Sequence, residues 1–294
     1  MVTLDVPTNE DAYPMLFRRD PEWLYGEGIA SSRAGIASLL RTFDALRFVK
    51  KIRRVKAGVF AYCDEGDDMR YSGGLLRQAA RYANQVIVLN TGYLGGKVID
   101  QHRGIRKYRL VVEGDPLRSG HRRAQDALSW FLQKAAGLKN LSKPAYKLSV
   151  SVEDVRSERY SKLLPHKVHA TICVSYLDSK KADLAEHQIR AMFSHSVKEI
   201  KVLMERLVDR PPLNRTGASQ PLIKKIETLC EDWNLPFGTE SSLLPTPAGE
   251  IPTDTPVLAG FAPPGRDIYT PNEAVHRGEF LQRTLLLSLL LIKG

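Results

Sequence analysis

Cysteine is scarce in this sequence of 294 residues, and its scarcity excludes several classes of fold. Cys63, Cys173 and Cys230 are far apart and form no CxxC pair or zinc-finger spacing. A disulfide framework is therefore excluded, and a reducing cytoplasm is the expected location. Cys63 ends an apolar run and has no histidine near it in the sequence, so we expect a buried thiol rather than a nucleophile.

Long apolar runs are also missing. The most apolar stretch, TLLLSLLLI at 284–292, is too short to span a bilayer and predicts a buried terminal helix. The first residues, MVTLDVPTNEDAYP, lack the basic segment and apolar core of a signal peptide. We therefore expect no membrane partner.

Acidic residues are outnumbered, with 33 Asp and Glu against 43 Lys and Arg, and the net charge is +10. Such an excess suits a polyanionic partner. The basic residues are spread through RRD, KKIRR, HRR and KK, and neither a helix-turn-helix nor an aromatic–basic RNA motif accompanies them. We therefore do not expect specific nucleic-acid binding. A basic surface for nucleic acid or an acidic protein is an alternative hypothesis, and it predicts binding that weakens steeply with salt.

The order of sequence patterns predicts an α/β fold with a second domain inserted into it. Up to 105, helical periodicity alternates with the short apolar runs VKAGVFAYC and QVIVLN, which is typical of a mixed, largely parallel sheet flanked by helices. From 106 to 210 the predicted order is β-α-β-β-α-β, the ferredoxin-like plan. Helix and strand signals resume after DRPPLNRTGASQPL. We predict one α/β domain made of 1–105 and 211–294, with 106–210 inserted.

A run of acids, CDEGDD at 63–68, follows one of the predicted buried strands. Metal-assisted hydrolases place ligands and a general base at the carboxyl end of such a strand. A carboxylate-only cluster suits magnesium or calcium better than zinc, so Asp64, Asp67 and Asp68 are candidate ligands for a hard cation. The alternative is a solvated loop.

Several spaced motifs share one further property, a resemblance to segments of a single enzyme family. They are TLDVP (3–7), LYGEGIASSRAGIASLL (24–40), CDEGDD (63–68), VIVLN (86–90), GDPLRSGHRRAQDAL (114–128), LLPHKVHATICVSY (163–176) and APPGRDIYTPNEAV (262–275). Together they cover nearly the whole chain, which resembles the co-catalytic zinc exopeptidase and deacylase family. That family includes acetylornithine deacetylase, succinyl-diaminopimelate desuccinylase, aminoacylase and carboxypeptidase G. The resemblance implies amide hydrolysis at two zinc ions, and an inserted lid domain that also forms the homodimer contact.

The family's metal ligands fall on residues of other kinds when they are carried over to this sequence. The five ligand positions are Thr3, Ser31, Gly66, Asn90 and Tyr269. The seven histidines offer no replacement, and we expect His276, beside the closing motif, to lie inside the last helix.

Some residues that assist the metal ligands in the family have counterparts in this sequence. It matches Glu65 to the general base and Asp5 to the aspartate that orients a histidine ligand from behind. The lid histidine that reaches into a partner's active site falls on Arg118; the less favoured alternative is a shifted alignment that places it on His121, three residues away.

Three further residues are candidates for ligand binding. Arg210 and Arg215 flank the return from the lid, and an arginine fork suits a carboxylate; the alternative is a surface or hinge role. Gly265 belongs to the closing motif of the family.

We therefore predict a metal-free, catalytically degenerate scaffold without a cofactor. It would bind a small amino-acid or peptide-like ligand and form a homodimer through the inserted domain. The alternative is an active metal-dependent amide hydrolase with a modified site, in which Glu65 is the general base. The family's leading helix and first strands have no counterpart before the first motif. Either the sequence is truncated or the α/β domain has lost an edge; in the first case the exposed sheet edge would need a partner or a dimer contact.

Overall fold

The computed structural model describes residues 1–5, 17–120, 125–194 and 199–293, with the backbone only for Leu4 and Asp5. The chain divides into two compact units. Unit 1 consists of Met1–His102 and Leu213–Gly294, and unit 2 is Arg103–Pro212. Within the described ranges, no helix is long and apolar enough to cross a membrane.

The described residues form six α-helices and fourteen strands. The helices are α1 (Ala34–Phe48), α2 (Ser72–Ala80), α3 (Ala127–Ala135), α4 (Ser179–Ser194), α5 (Gln220–Asp232) and α6 (Arg277–Lys293). The strands are β1 (Val2–Asp5), β2 (Arg18–Arg19), β3 (Trp23–Tyr25), β4 (Val59–Tyr62), β5 (Val86–Val88), β6 (Lys97–His102), β7 (Gly104–Gly114), β8 (Ser149–Glu158), β9 (Lys167–Tyr176), β10 (Ile200–Arg210), β11 (Gly238–Ser242), β12 (Val257–Leu258), β13 (Gly265–Arg266) and β14 (Ala274–His276).

The main sheet of unit 1 is parallel, in the order β12-β5-β1-β4. Successive side chains of a strand point to opposite faces, and both faces are buried at β5. Ile87 of β5 packs in a core with residues of α1, α5 and α6, whereas its neighbours Val86 and Val88 pack in a second core with residues of α2. Helices on both sides of β5 explain the buried strand predicted from QVIVLN. The run VKAGVFAYC forms β4 at the outside of the sheet, where Val59 and Ala61 are exposed and only Tyr62 is buried.

A small antiparallel sheet, β13-β14-β3-β2, joins the start of unit 1 to its closing segment. One of its faces packs against a π-helix, Ile29–Arg33, that runs directly into α1. The π-helix begins after Gly28, whose φ of 61° favours glycine. This arrangement brings the segments around 30 and 270 together.

Unit 2 has the order β7-α3-β8-β9-α4-β10, with an antiparallel sheet in the order β10-β7-β9-β8. Its core is aromatic, because the ring of Phe193 on α4 lies 6.0 Å from Trp130 and 6.4 Å from Phe131 on α3. This is the ferredoxin-like plan. The predicted fold class, an α/β layer with an inserted ferredoxin-like domain, is confirmed.

Two local expectations are wrong. His276 lies outside the last helix, because β14 continues through it and α6 begins at Arg277. Its imidazole Nδ1 instead accepts a hydrogen bond from the amide of Glu279 at 3.1 Å, in the first turn of α6. Cys63 is exposed rather than buried, because it follows β4, the outermost strand of the main sheet as described.

Candidate functional site

The carboxyl ends of β1, β4 and β5 meet at one edge of the main sheet, where ligands bind in open α/β folds. Thr3 of β1 is fully buried and pairs with Phe60 on one side and Val88 on the other. Its hydroxyl has no hydrogen-bond partner among the described residues. The amide of Leu89 donates to the carbonyl of Thr3 at 2.8 Å, so Asn90 follows directly at the same edge.

The buried carboxylate of Glu273, in unit 1, accepts hydrogen bonds from three backbone amides. Glu273 is 2% exposed, and its Oε1 accepts from the amides of Ala30 at 2.7 Å and Ser31 at 2.6 Å. Its Oε2 accepts from the amide of Tyr269 at 3.3 Å. The first amides of a helix lack partners within the helix, and a negative charge suits that end. We call these four residues the Glu273 cradle; it brings two of the five mapped ligand positions, Ser31 and Tyr269, to one carboxylate.

Asn90 stabilises backbone that surrounds the cradle. Its Oδ1 accepts from the amide of Gly260 at 2.7 Å, and its Nδ2 donates to the carbonyl of Thr91 at 3.4 Å. The hydroxyl of Thr91 donates to the carbonyl of Ala30 at 2.6 Å, which ties the end of β5 to the π-helix. The side-chain oxygen of Asn90 is therefore engaged within the fold.

Glu65 lies in the turn after β4, at the same edge of the sheet. The hydroxyl of Tyr62, at the end of β4, donates to Glu65 Oε2 at 3.1 Å. Glu65 is half-buried, whereas Gly66 is exposed, and a Cβ added to Gly66 would meet no atom within 4 Å. The structure therefore holds the glutamate in place and leaves open space at the mapped ligand position beside it.

Asp64 fixes the start of α2. Its Oδ2 accepts from the amides of Tyr71 and Ser72, both at 2.9 Å, and its Oδ1 accepts from the Ser72 hydroxyl. Partial burial acts to raise the pKa of Asp64, but these hydrogen bonds outweigh it and the pKa is lowered. Asp67 is exposed, and Asp68 has a φ of 57°. The structure does not gather Asp64, Asp67 and Asp68 into a three-ligand group.

The residues at the mapped positions do not fit a two-zinc centre. Zinc takes thiolate, imidazole and carboxylate ligands, and the residues at these positions carry none of these groups. Within the described ranges, no three His, Cys, Asp or Glu side chains come together as a group that could hold a metal ion.

The two arginines proposed for ligand binding lie in different units. Arg215 is in unit 1, where its Nε donates to Oδ2 of the buried Asp100 at 2.9 Å. Arg210 ends β10 of unit 2 and is 4% exposed. Arg118 is also in unit 2 and is exposed. The ion pair with Asp100 gives Arg215 a role in stabilising unit 1.

Gly265 lies at the first residue of β13, and it packs too closely for a side chain. An added Cβ would lie 2.3 Å from the Cβ of Ala30 and 3.2 Å from the side chain of Thr91. Asp5 ends β1, where its backbone pairs with Tyr62; its side chain lies outside the description. His121 is outside the described residues.

Sequence reasoning missed the buried charges that organise this region. Glu273 lies in the motif APPGRDIYTPNEAV, but two of its partners, Ala30 and Ser31, are 243 and 242 residues away in the chain. The sequence around Glu273 therefore gave no sign of its role. Two residues of α6 were also missed. Glu279 accepts from the amides of Gly95 and Gly96 at 2.8 and 3.2 Å, and Arg283 donates to the carbonyl of Lys97 at 2.6 Å. This pair holds the loop that follows β5 against α6.

Comparisons with known proteins add a likeness of structure alone. No protein-family model matches the sequence, and no curated protein matches it. Solved structures are similar over almost the full chain. The aminopeptidase PepT from Bacillus cereus is 13% identical with a TM-score of 0.71, and the match covers 99% of this chain and 80% of that one. The di-peptidase Dug1p from Saccharomyces cerevisiae is 16% identical with a TM-score of 0.72, covering 99% and 79%.

An amidase of the hydantoinase/carbamoylase family from Burkholderia vietnamiensis is 10% identical with a TM-score of 0.68, and the match covers 100% of this chain and 80% of that one. Identities this low establish a common fold rather than a common activity. The chain has the fold of these peptidases and amidohydrolases.

Proposed function

We propose that this protein is a catalytically degenerate relative of the zinc deacylases and exopeptidases. It binds a small amino-acid or peptide-like ligand, without zinc, at the edge of the main sheet beside the Glu273 cradle. The observation that carries the proposal is the donor set. Threonine, serine, glycine, asparagine and tyrosine stand at the five mapped positions. The oxygen of Asn90 is engaged with Gly260, and the amides of Ser31 and Tyr269 are engaged with Glu273.

The ligand class follows from the fold and from the polar groups at the edge. Proteins of this fold include an aminopeptidase, a di-peptidase and an amidase, so compounds with an amide bond are the first class to test. The buried Thr3 hydroxyl and the half-buried Glu65 carboxylate supply hydrogen-bonding groups of the kind that orient a small ligand.

Two measurements on one preparation test the proposal. The first is elemental analysis of protein purified without chelator and then incubated with zinc. The second is thermal unfolding in the presence of dipeptides and N-acetylated amino acids. A ligand at about 100 times its Kd stabilises the folded state by about 2.7 kcal/mol, which raises the Tm by several degrees. We expect such a shift with at least one compound and no stoichiometric zinc. Two zinc ions per chain, or no shift with any compound, would overturn the proposal.

The second candidate function is an active amide hydrolase with a modified site. It is favoured by one observation, the hydrogen bond that holds Glu65 at the sheet edge through the Tyr62 hydroxyl. A positioned general base contributes about 10² to 10⁴ in rate. Release of amino acid from N-acetylated amino acids should therefore fall at least about 100-fold in Glu65→Gln and stay unchanged in Glu231→Gln, which alters an exposed glutamate of α5. Equal activity in the two variants would eliminate this candidate.

A further inference from the structure

The most basic stretch of unit 1 is unused by the candidate site. Residues 45–63 include six Lys or Arg and no Asp or Glu. The six cations are Arg47, Lys50, Lys51, Arg53, Arg54 and Lys56. Such a local excess attracts a polyanion, because nothing within the segment neutralises it.

These cations are also available for binding. Lys51 is half-buried and the other five are exposed. Arg47 lies 3.9 Å from Asp44, which is a loose ion pair between exposed side chains. The side chains of the remaining five have no ion pair or hydrogen bond to any residue of the described ranges.

The stretch lies at the amino edge of the main sheet, opposite the candidate site. It links the end of α1 at Phe48 to the start of β4 at Val59. The carbonyl of Gly58 accepts from the amide of Val2 at 2.9 Å, which places the end of the link beside the start of β1. The strand starts of a parallel sheet share one edge, so a partner bound here leaves the Glu273 cradle free.

A second link at the same edge adds a cation and an aromatic ring. Residues 81–85 connect α2 to β5, and the carbonyl of Gln85 accepts from the amino group of Met1 at 2.7 Å. Arg81 and Tyr82 are exposed in this link. We call residues 47–56 with Arg81 and Tyr82 the basic edge. Among the described residues, Asp44 beside Arg47 and Asp254 in the turn before β12 are exposed acids near this edge, so the seven cations remain in excess.

Two aromatic rings project from the basic edge with almost no protein contact. Phe48 is 89% exposed and Tyr82 is 93% exposed. Isolated rings among cations form a stacking platform for the bases of a single strand, whose phosphates pair with the cations. A bilayer would require a continuous apolar face instead. Val49 beside Phe48 is 50% exposed, but Lys50 and Lys51 follow it and Ile52 and Val55 are half-buried, so residues 47–56 present no continuous apolar face.

We propose that the basic edge binds single-stranded nucleic acid without sequence preference. Contacts to phosphate carry no sequence information, and stacking accepts any base. The mode therefore needs no sequence-reading motif, and the chain has none. It leaves the candidate site untouched, so its failure and that of the proposed function are distinguishable.

Fluorescence anisotropy of a labelled oligothymidylate of about 20 nucleotides at about 50 mM salt tests the proposal on the full chain. Lys50→Glu with Lys51→Glu should weaken binding at least about tenfold and flatten the slope of log Kd against log salt. The matched control is Lys224→Glu with Lys225→Glu on α5. This pair again combines one exposed and one half-buried lysine and the same charge change, and it should shift Kd less than about twofold. Equal loss in both double variants, or no binding by the wild type, would overturn the proposal.

The contribution of base stacking to binding can be measured separately from that of charge. Phe48→Ala should weaken oligonucleotide binding about fivefold or more while leaving the salt slope unchanged, because stacking is worth roughly 1–3 kcal/mol per base and releases no counterions. Circular dichroism checks that each variant is folded. Poly-glutamate or anionic vesicles competing as strongly as the oligonucleotide, at equal charge, would assign the surface to an acidic protein or a membrane and overturn the proposal.

Discussion

Gly265 occupies a position in β13 where a methyl group has no room. Its added Cβ would lie 2.3 Å from the Cβ of Ala30 and 2.9 Å from the carbonyl of Ala274. The closing motif located this glycine, but the motif alone does not say why a glycine is needed. The close approach involves a residue of the π-helix and one of β14, and their spacing depends on the whole of the small sheet. The sequence motif therefore located Gly265, but the steric requirement for a glycine at this position could be seen only in the structure.

Gly265→Ala should destabilise the protein by about 1–3 kcal/mol, because the neighbouring backbone must move to admit the methyl group. Urea denaturation followed by circular dichroism measures the change. The control is Gly217→Ala, where an added Cβ meets no atom within 4 Å and stability should stay within about 1 kcal/mol of the wild type. Comparable stability of the two variants would show that the β13 contact is not tight.

The elements that the sequence predicted well are those that are long enough to show a period. The helices and the strands of unit 2 span several turns or alternations, and they follow the predicted order β-α-β-β-α-β. The two- and three-residue strands β2, β3, β13 and β14 were not predicted, since no periodicity develops in so few residues. These short strands position the Glu273 cradle, so the part of the site that was missed is the part built from the shortest elements.

Asp64 illustrates how one element depends on one carboxylate. Its folded pKa is lowered by its hydrogen bonds to the start of α2. A group of this kind stabilises the fold above its unfolded pKa of about 3.9, and the stabilisation is lost as the pH falls through the lower folded value. The pattern of acids made Asp64 a candidate cation ligand, because carboxylates that serve a helix start and carboxylates that bind metal look alike in a sequence.

Asp64→Asn should lower the free energy of unfolding by about 1 kcal/mol at neutral pH, which is typical for loss of a helix cap. The difference from the wild type should shrink in acid, below the folded pKa of Asp64, because the wild-type carboxyl is then protonated. Urea denaturation at the two pH values measures both effects. Asp67→Asn, an exposed acid of the same loop, should leave stability unchanged. A constant difference between Asp64→Asn and the wild type at both pH values would contradict the pH dependence.

Unit 2 ends its sheet with β8, an outer strand whose last six residues, Glu153–Glu158, are all exposed. An outer strand offers unpaired backbone groups to another chain. The homodimer suggested by the family resemblance stays a prediction, and β8 is the edge that we assign to it. The opposite outer strand, β10, has buried residues at both ends.

Light scattering coupled to size-exclusion chromatography should therefore find the full chain as a dimer. Val155→Lys on β8 should convert it to a monomer at the same concentration, because a lysine blocks strand addition at an edge. Leu203→Lys on β10, also an exposed apolar residue, should leave the dimer intact. A monomeric wild type, or loss of the dimer in Leu203→Lys alone, would rule out this contact.

The way in which unit 2 is inserted has a consequence for the order of folding. In unit 1, His102 and Leu213 exchange backbone hydrogen bonds of 3.0 and 3.1 Å. The two bonds close a loop that contains the whole of Arg103–Pro212. Closing so long a loop from a disordered chain costs entropy, but in folded unit 2 the antiparallel strands β7 and β10 already hold Ile105 beside Arg210. The core of unit 2 consists of its own residues, so we expect this unit to fold first. The two halves of unit 1 would then be joined by a short connection instead of a long disordered loop.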